Sequence, residues 1–176
     1  MDRRQRKTRE AIFSAFEKLI SHKRYENITV QDIIDSADIG RSTFYAHFET
    51  KDDLLKAMCE DIFEHIFNGE LCDFGESRNL EEKLAHILWH LGEQKEYIIG
   101  IFKSQSAEIF MGYLRTYLLR LFEMHLYDFK ADVPRDFLLN HLVGAFGSVI
   151  KWWVRNELSP SPEETAHYFM SVVEKH

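Results

Sequence analysis

Residues 39 to 51, IGRSTFYAHFETK, crowd Arg41, Ser42, Thr43, Tyr45, His47 and Lys51 into eleven positions. Each of these side chains offers hydrogen-bonding chemistry suited to a nucleic-acid duplex. Arg41 can bond guanine or phosphate, and the Ser42 and Thr43 hydroxyls can reach base edges or phosphate oxygens. Ala46 permits close approach and can touch a thymine methyl, while Tyr45 can reach a phosphate. His47 and Lys51 fall near the junction with the next element, where Lys51, just after Thr50, can join helix-start amides in holding phosphate. The aromatics must then be sorted, because three of them interrupt this polar run. With about 100° between successive residues of a helix, Phe44 at 0° places Phe48 at about 40°, whereas Tyr45, Ser42, Ala46 and Thr43 fall at about 100°, 160°, 200° and 260°. Phe44 and Phe48 therefore share an anchoring side, and the polar residues face away from it.

Other chemistry is thinly represented. His86 and His90 stand four apart with Glu93 three further on, a spacing that puts all three near one helix face as metal ligands could be. Residues 87 to 89 are Ile-Leu-Trp, so HExxH is missing, and neither a metal nor a cofactor is expected. Cys59 and Cys72 lie thirteen apart without a CxxC, which indicates neither a disulfide framework nor a zinc ribbon. With no P-loop, no Gly-rich dinucleotide turn and no nucleophile elbow, the chain does not read as an enzyme.

The elements that must carry the polar segment are helices. No proline precedes Pro134, and apolar residues recur at helical spacing throughout, giving an all-α fold of about nine helices. A first helix from about Arg4 to Ser21 buries Ile12, Phe16, Leu19 and Ile20. A second runs from about Val30 to Ala37, capped by Thr29 with Asp32 three residues on. The turn Asp38-Ile39-Gly40 then leads to a third helix at Arg41. Two short helices joined by such a turn form a helix-turn-helix, whose second helix enters the major groove. Thr50 and Asp53 launch a fourth helix, residues 51 to 67. The weakly periodic stretch 68 to 82 separates residues 1 to 50, the helix-turn-helix domain, with its connecting fourth helix, from residues 68 to 176, a second helical domain, to which the resemblance named below gives effector binding and dimerisation. Further helices are expected at about 80 to 92, 96 to 104 and 106 to 128, then from Pro134 to about Glu157, and finally from Ser161, where Pro162 and Glu164 complete the start signal.

The chain has 176 residues, 45% hydrophobic, and a net charge of −7. That sign fits a DNA binder only when divided. Residues 1 to 51 hold ten Lys or Arg against eight Asp or Glu, a balance of +2, which leaves −9 for the remainder. Arg3, Arg4, Arg6, Lys7 and Arg9 form a cationic arm that adds sequence-independent attraction. Glu10, Glu17 and Lys18 interrupt any secretory apolar run, and FLLNHLVGAFGSVIKWW falls short of the roughly 20 residues of a membrane span. A cytoplasmic protein without membrane attachment is expected.

On these residues, ITVQDIIDSADIGRSTFYAHFETKDDLLKAM resembles the N-terminal DNA-binding domain of the TetR family of bacterial transcription regulators, including the Tyr-x-His-Phe-x-x-Lys run from Tyr45 to Lys51. The resemblance covers about residues 6 to 60. It implies a homodimer on near-palindromic, double-stranded operator DNA, a small-molecule effector of unknown identity, and a repressor whose ligand changes the spacing of its two readers. By the same resemblance Thr29, Val30, Arg41, Ser42, Thr43, Tyr45, His47 and Lys51 face DNA. The alternative is a co-regulator that keeps the fold but acts through another protein.

After Phe67 the resemblance weakens. The last two helices are similar to those of a TetR-related group that includes a regulator associated with dihydroxyacetone metabolism. Leu138, Leu142, Ala145, Val149 and Trp153 recur at helical spacing beside Gly144, Gly147 and Ser148, and give the expected dimer face. Trp89, His90, Phe102, Tyr113, Tyr117, Phe122, His125, His141 and Trp152 are the candidates for an effector pocket, being aromatic with a few polar groups.

Overall fold

The computed structural model describes residues 3–68, 79–129 and 132–173, and every regular element among them is helical. The elements are α1 (Arg3–His22), a 3-10 turn (Tyr25–Asn27), α2 (Val30–Ala37), α3 (Arg41–Tyr45), α4 (Lys51–Asn68), α5 (Leu80–Glu93), α6 (Lys95–Phe102), α7 (Ser106–Met124), a second 3-10 turn (Leu126–Asp128), α8 (Arg135–Arg155) and α9 (Pro162–Val173). The break expected between 68 and 82 falls largely on residues outside the described set, as does Cys72; Cys59 is buried in α4.

Local chemistry explains where these helices start. Thr29 accepts a bond from the Asp32 amide at 3.1 Å while the Asp32 carboxylate accepts from the Thr29 amide at 2.7 Å, so each satisfies a donor that the helix leaves open. Thr50 with Asp53, and Ser161 with Glu164, repeat the exchange at α4 and before α9. Asn79 caps α5 through the Glu82 amide. Between α2 and α3 the left-handed residue is Asp38, at φ 51°, whereas Gly40 has an ordinary negative φ. Asp tolerates that conformation better than most residues because its short side chain can bond locally.

Ile12, Phe16 and Ile20 of α1 are buried with Ile33 and Ile34 of α2 and Phe44 of α3, at one end of a hydrophobic core that continues into the later helices. In the second domain α5 packs mainly on α9, and α7 on α4 and α8. The domains are joined directly, because α1 also packs on α6. Gly100 makes this fit: a Cβ there would lie 2.9 Å from the Ile20 carbonyl carbon and collide with its oxygen.

One expectation about α8 needs correction. At 21 residues the helix is long and apolar enough to cross a membrane by length and composition, so the shortfall expected of this stretch is not found. Its Leu142, Phe146, Ile150 and Trp153 are nonetheless buried against the chain's own helices. The residues of the expected dimer face divide between the core and its edge. Leu142 and Trp153 belong to the internal core, where the Trp153 indole donates to the Pro160 carbonyl at 2.7 Å. Leu138, Ala145 and Val149 are partly buried at its edge. The side of α8 left exposed carries Phe137, His141, Gly144, Ser148 and Trp152, about one residue's rotation away.

Candidate nucleic-acid interface

The reading segment is built on Phe44. This side chain is fully buried and packs on Phe48 at 6.0 Å between ring centroids, and Phe48 in turn stacks on Phe13 of α1 at 6.1 Å. Anchoring these two rings forces the remaining side chains of α3 outward. Ser42, Tyr45 and Ala46 are exposed, Tyr45 to 50%, with its ring edge against Phe44. Thr43 and His47 are half-buried at the margins. The polar arc and the apolar anchor thus separate around the helix as its 3.6-residue period requires.

Arg41 donates to the Gln31 side chain at 3.1 Å, and Gln31 donates onward to Asp35 at 2.7 Å, a bridge between α3 and α2. Gln31 was not singled out in the sequence. Its exposed position four before Asp35, directly after Val30, was the available signal, but only the fold brings it to Arg41. Val30 is half-buried at the start of α2. Thr29 is exposed, yet its hydroxyl already donates to Asp32 at 2.8 Å and accepts from the Asp32 amide, so capping occupies the group that would face DNA. Asp32 also takes a bond from the Lys23 ammonium at 2.8 Å. That cation, with the Thr29 donors, holds the Asp32 carboxyl at about 2, below its usual 3.8.

Lys51 is held by the backbone of an earlier segment. Its ammonium donates to the Tyr25 and Ile28 carbonyls, each at 2.9 Å, and to that of Glu26 at 3.4 Å, and sits 4.5 Å from the centre of the Tyr25 ring. Those acceptors turn it inward, and it ties the 3-10 turn to the start of α4. The Tyr25 hydroxyl completes the tie by donating to Asp52.

The basic arm is helical. Arg3, Arg4, Arg6 and Lys7 lie within α1, all exposed. Arg6 pairs with Glu10 at 3.6 Å, and Arg9 lies back over Phe13 at 4.8 Å, leaving Arg3, Arg4 and Lys7 as the open cations of this end.

In the second domain the effector candidates do not converge. Phe122 is fully buried between Phe146 and Phe169. His125 accepts from the Lys83 ammonium at 3.1 Å on Nε2, so Nδ1 carries the proton that bonds Asp128 at 2.9 Å. Tyr117 packs between Phe63 and Phe67, and Tyr113 faces Glu60. Trp89 is half-exposed beside His86, whereas His141 and Trp152 lie on the outer side of α8. Phe102 does line a cleft, described below. A core aromatic and a pocket aromatic look alike in sequence, so residue type alone does not separate them. His90 contacts the rings of His65 and His86, and burial lowers its pKa, yet among the described residues no group of three or more His, Cys, Asp or Glu is arranged to hold a metal ion.

A helix-turn-helix with a polar outward face, carried by a helical second domain, defines a DNA-binding transcription regulator. The family model described as "Bacterial regulatory proteins, tetR family" matches residues 12–58, and that of a "Transcriptional regulator C-terminal region" matches residues 78–175. The chain belongs to the TetR family of bacterial transcriptional regulators. It superimposes on a TetR transcriptional regulator from Streptococcus agalactiae 2603V with a TM-score of 0.81 and 36% identity, covering 99% of this chain and 97% of that one. It is 39% identical over 93 residues to the uncharacterised HTH-type transcriptional regulator YxbF of Bacillus subtilis strain 168, a match covering 50% of this chain and 24% of that protein. Over 95 residues it is 30% identical to DhaS of Lactococcus lactis, named a dhaKLM operon transcriptional activator, covering 54% of this chain and 49% of DhaS. The chain thus spans about half or less of the length of these two curated relatives.

Proposed function

We propose that this protein is a homodimeric, ligand-responsive repressor acting in the cytoplasm, which reads double-stranded operator DNA by placing α3 in the major groove. The observation that carries the reading is the exposed arc of Ser42, Tyr45 and Ala46, flanked by Arg41, Thr43 and His47, on a helix fixed by the buried Phe44. Arg41 and Gln31 extend the arc onto α2, and Arg3, Arg4 and Lys7 supply sequence-independent attraction. Dimerisation uses the exposed sides of α8 and α9, where Phe137, Trp152, Tyr168 and Val172 are 62%, 46%, 50% and 68% exposed and would otherwise leave a large apolar surface in water. Two helices from each subunit then form the interface. Repression follows from occupying the promoter, and release follows when a ligand binds better to the conformation in which the readers are badly spaced.

The test is fluorescence anisotropy with the intergenic DNA beside the gene against a random duplex of equal length, over a salt series. Preference for the intergenic DNA, with log affinity falling linearly in log salt, supports direct reading. Equal and weak binding to both duplexes favours the co-regulator alternative. A promoter-reporter strain fixes the sign: deletion of the gene raises expression if the protein represses and lowers it if, like DhaS by its name, the protein activates.

A further inference from the structure

We propose that the cleft between the 3-10 turn of the first domain and the α6–α7 corner binds a small anion bearing a carboxylate or phosphate group, and that the bound anion displaces Glu26 from the amide of Gln105. This rests on the reading of the protein as a ligand-released DNA binder, and gives that ligand a chemical class and a place.

The cleft measures about 810 Å³ and takes four cationic side chains from three places in the fold: Arg24 just ahead of the 3-10 turn, Lys103 at the end of α6, and Lys151 and Arg155 one turn apart on α8. Such a gathering is unexpected in a chain whose residues after 51 carry a balance of −9. Among the described residues the side chains of Lys103, Lys151 and Arg155 have neither an ion pair nor a hydrogen bond. Three carboxylates share the lining, Asp52 bonded by the Tyr25 hydroxyl, Glu26 by the Gln105 amide, and Glu108, so the cations exceed the acids by one. Phe102, Ala107 and Ile109 add apolar surface for the body of an organic anion.

Glu26 shows what the cleft recognises. Its carboxylate reaches across the domain junction and accepts from the Gln105 amide at 2.9 Å, just ahead of α7. That bond, aided by Arg24 and Lys51, holds the carboxyl below its ordinary range. Arg24 adds a second link by donating to the Lys103 carbonyl at 3.3 Å. A carboxylate of the chain itself thus sits where an external anion would be drawn. The two cannot be accommodated equally: they repel each other and compete for one N–H. Binding of an anion and closure of the Glu26 link are therefore antagonistic, and the antagonism is reciprocal. The consequence reaches the reader because the same 3-10 turn provides the carbonyls that hold Lys51 at the start of α4.

The experiment uses the full chain at constant ionic strength, with inorganic phosphate and citrate as probes, following the Gln105 amide by NMR and operator affinity by anisotropy. Saturable displacement of the Gln105 resonance is expected for at least one probe, and which one saturates separates phosphate from carboxylate chemistry. The double variant Lys103→Gln, Arg155→Gln should weaken that binding at least tenfold while retaining the wild-type melting profile. Glu26→Gln should tighten anion binding severalfold, lower operator affinity in the absence of anion, and make that affinity insensitive to the probe. A linear displacement of equal slope in wild type and double variant overturns the site. Saturable binding that leaves wild-type operator affinity unchanged overturns the displacement of Glu26 as a switch. Failure of the protein to bind operator under any condition refutes instead the DNA-reading assignment, and is told apart because the NMR titration needs no DNA.

Discussion

Replacing Lys51 with Met separates two roles that a lysine at this position could have. Met keeps most of the apolar stem but removes the ammonium, and with it bonds to the carbonyls of Tyr25, Ile28 and Glu26. The Tyr25 carbonyl still accepts from the Ile28 amide, so the Ile28 and Glu26 carbonyls lose most. A hydrogen bond to a charged group is worth about 1.5–3 kcal/mol, and the contact at 3.4 Å contributes at the low end or below. The ammonium over the Tyr25 ring adds about 0.5–1 kcal/mol. Partial hydration of the half-buried carbonyls offsets some of this, leaving a loss of about 2–3 kcal/mol, or roughly 5–10 °C in melting temperature for a chain of this size. Thermal unfolding by circular dichroism measures the shift, and the salt dependence of operator binding measures phosphate contacts. The expected result is a lowered melting temperature with an unchanged salt slope, because an inward ammonium releases no counterions. An unchanged melting temperature with a salt slope reduced by about one would show that Lys51 meets a phosphate and would refute the inward role.

Three further outcomes follow from the geometry. Asp32 has its pKa lowered to about 2 by Lys23 and Thr29, so its stabilising contribution is fully present above about pH 4 and is lost as pH falls through about 2; a carboxyl-carbon NMR titration should give that midpoint, and Lys23→Met should move it back toward 3.8. Gly100→Ala should destabilise the chain by about 1–3 kcal/mol in a chemical denaturation series, since the methyl must push α6 off the Ile20 carbonyl, and full stability would show that the helices are not in this contact. Trp152→Glu should leave the internal core intact while converting the dimer to a monomer in light scattering at micromolar concentration, whereas a persistent dimer would move the interface elsewhere.

What was legible in the sequence was mostly local. Thr29 with Asp32, Thr50 with Asp53 and Ser161 with Glu164 mark helix starts because cap and partner lie three residues apart, within the reach of one turn. Phe44 and Phe48 could be separated from Tyr45 because one helical turn fixes their relative directions. Lys51 could not be assigned, since its acceptors lie more than twenty residues earlier and are backbone carbonyls, which no side-chain pattern announces. Which side of α8 the chain keeps for itself was not legible, because that helix is apolar on two sides and only packing, such as that of Phe146 and Trp153 in the core, decides it. The cleft at the domain junction was not legible, because it is lined mainly by charged residues from distant segments.

The central claim is that the outward arc of α3 reads DNA. Operator affinity of Ser42→Ala and Tyr45→Ala, measured by anisotropy beside wild type, tests it most directly. Each substitution removes about one net hydrogen bond of roughly 1 kcal/mol, so each should weaken binding about five- to tenfold, and the two together about thirtyfold or more, with far-UV circular dichroism unchanged. Wild-type affinity in the double variant would contradict the account.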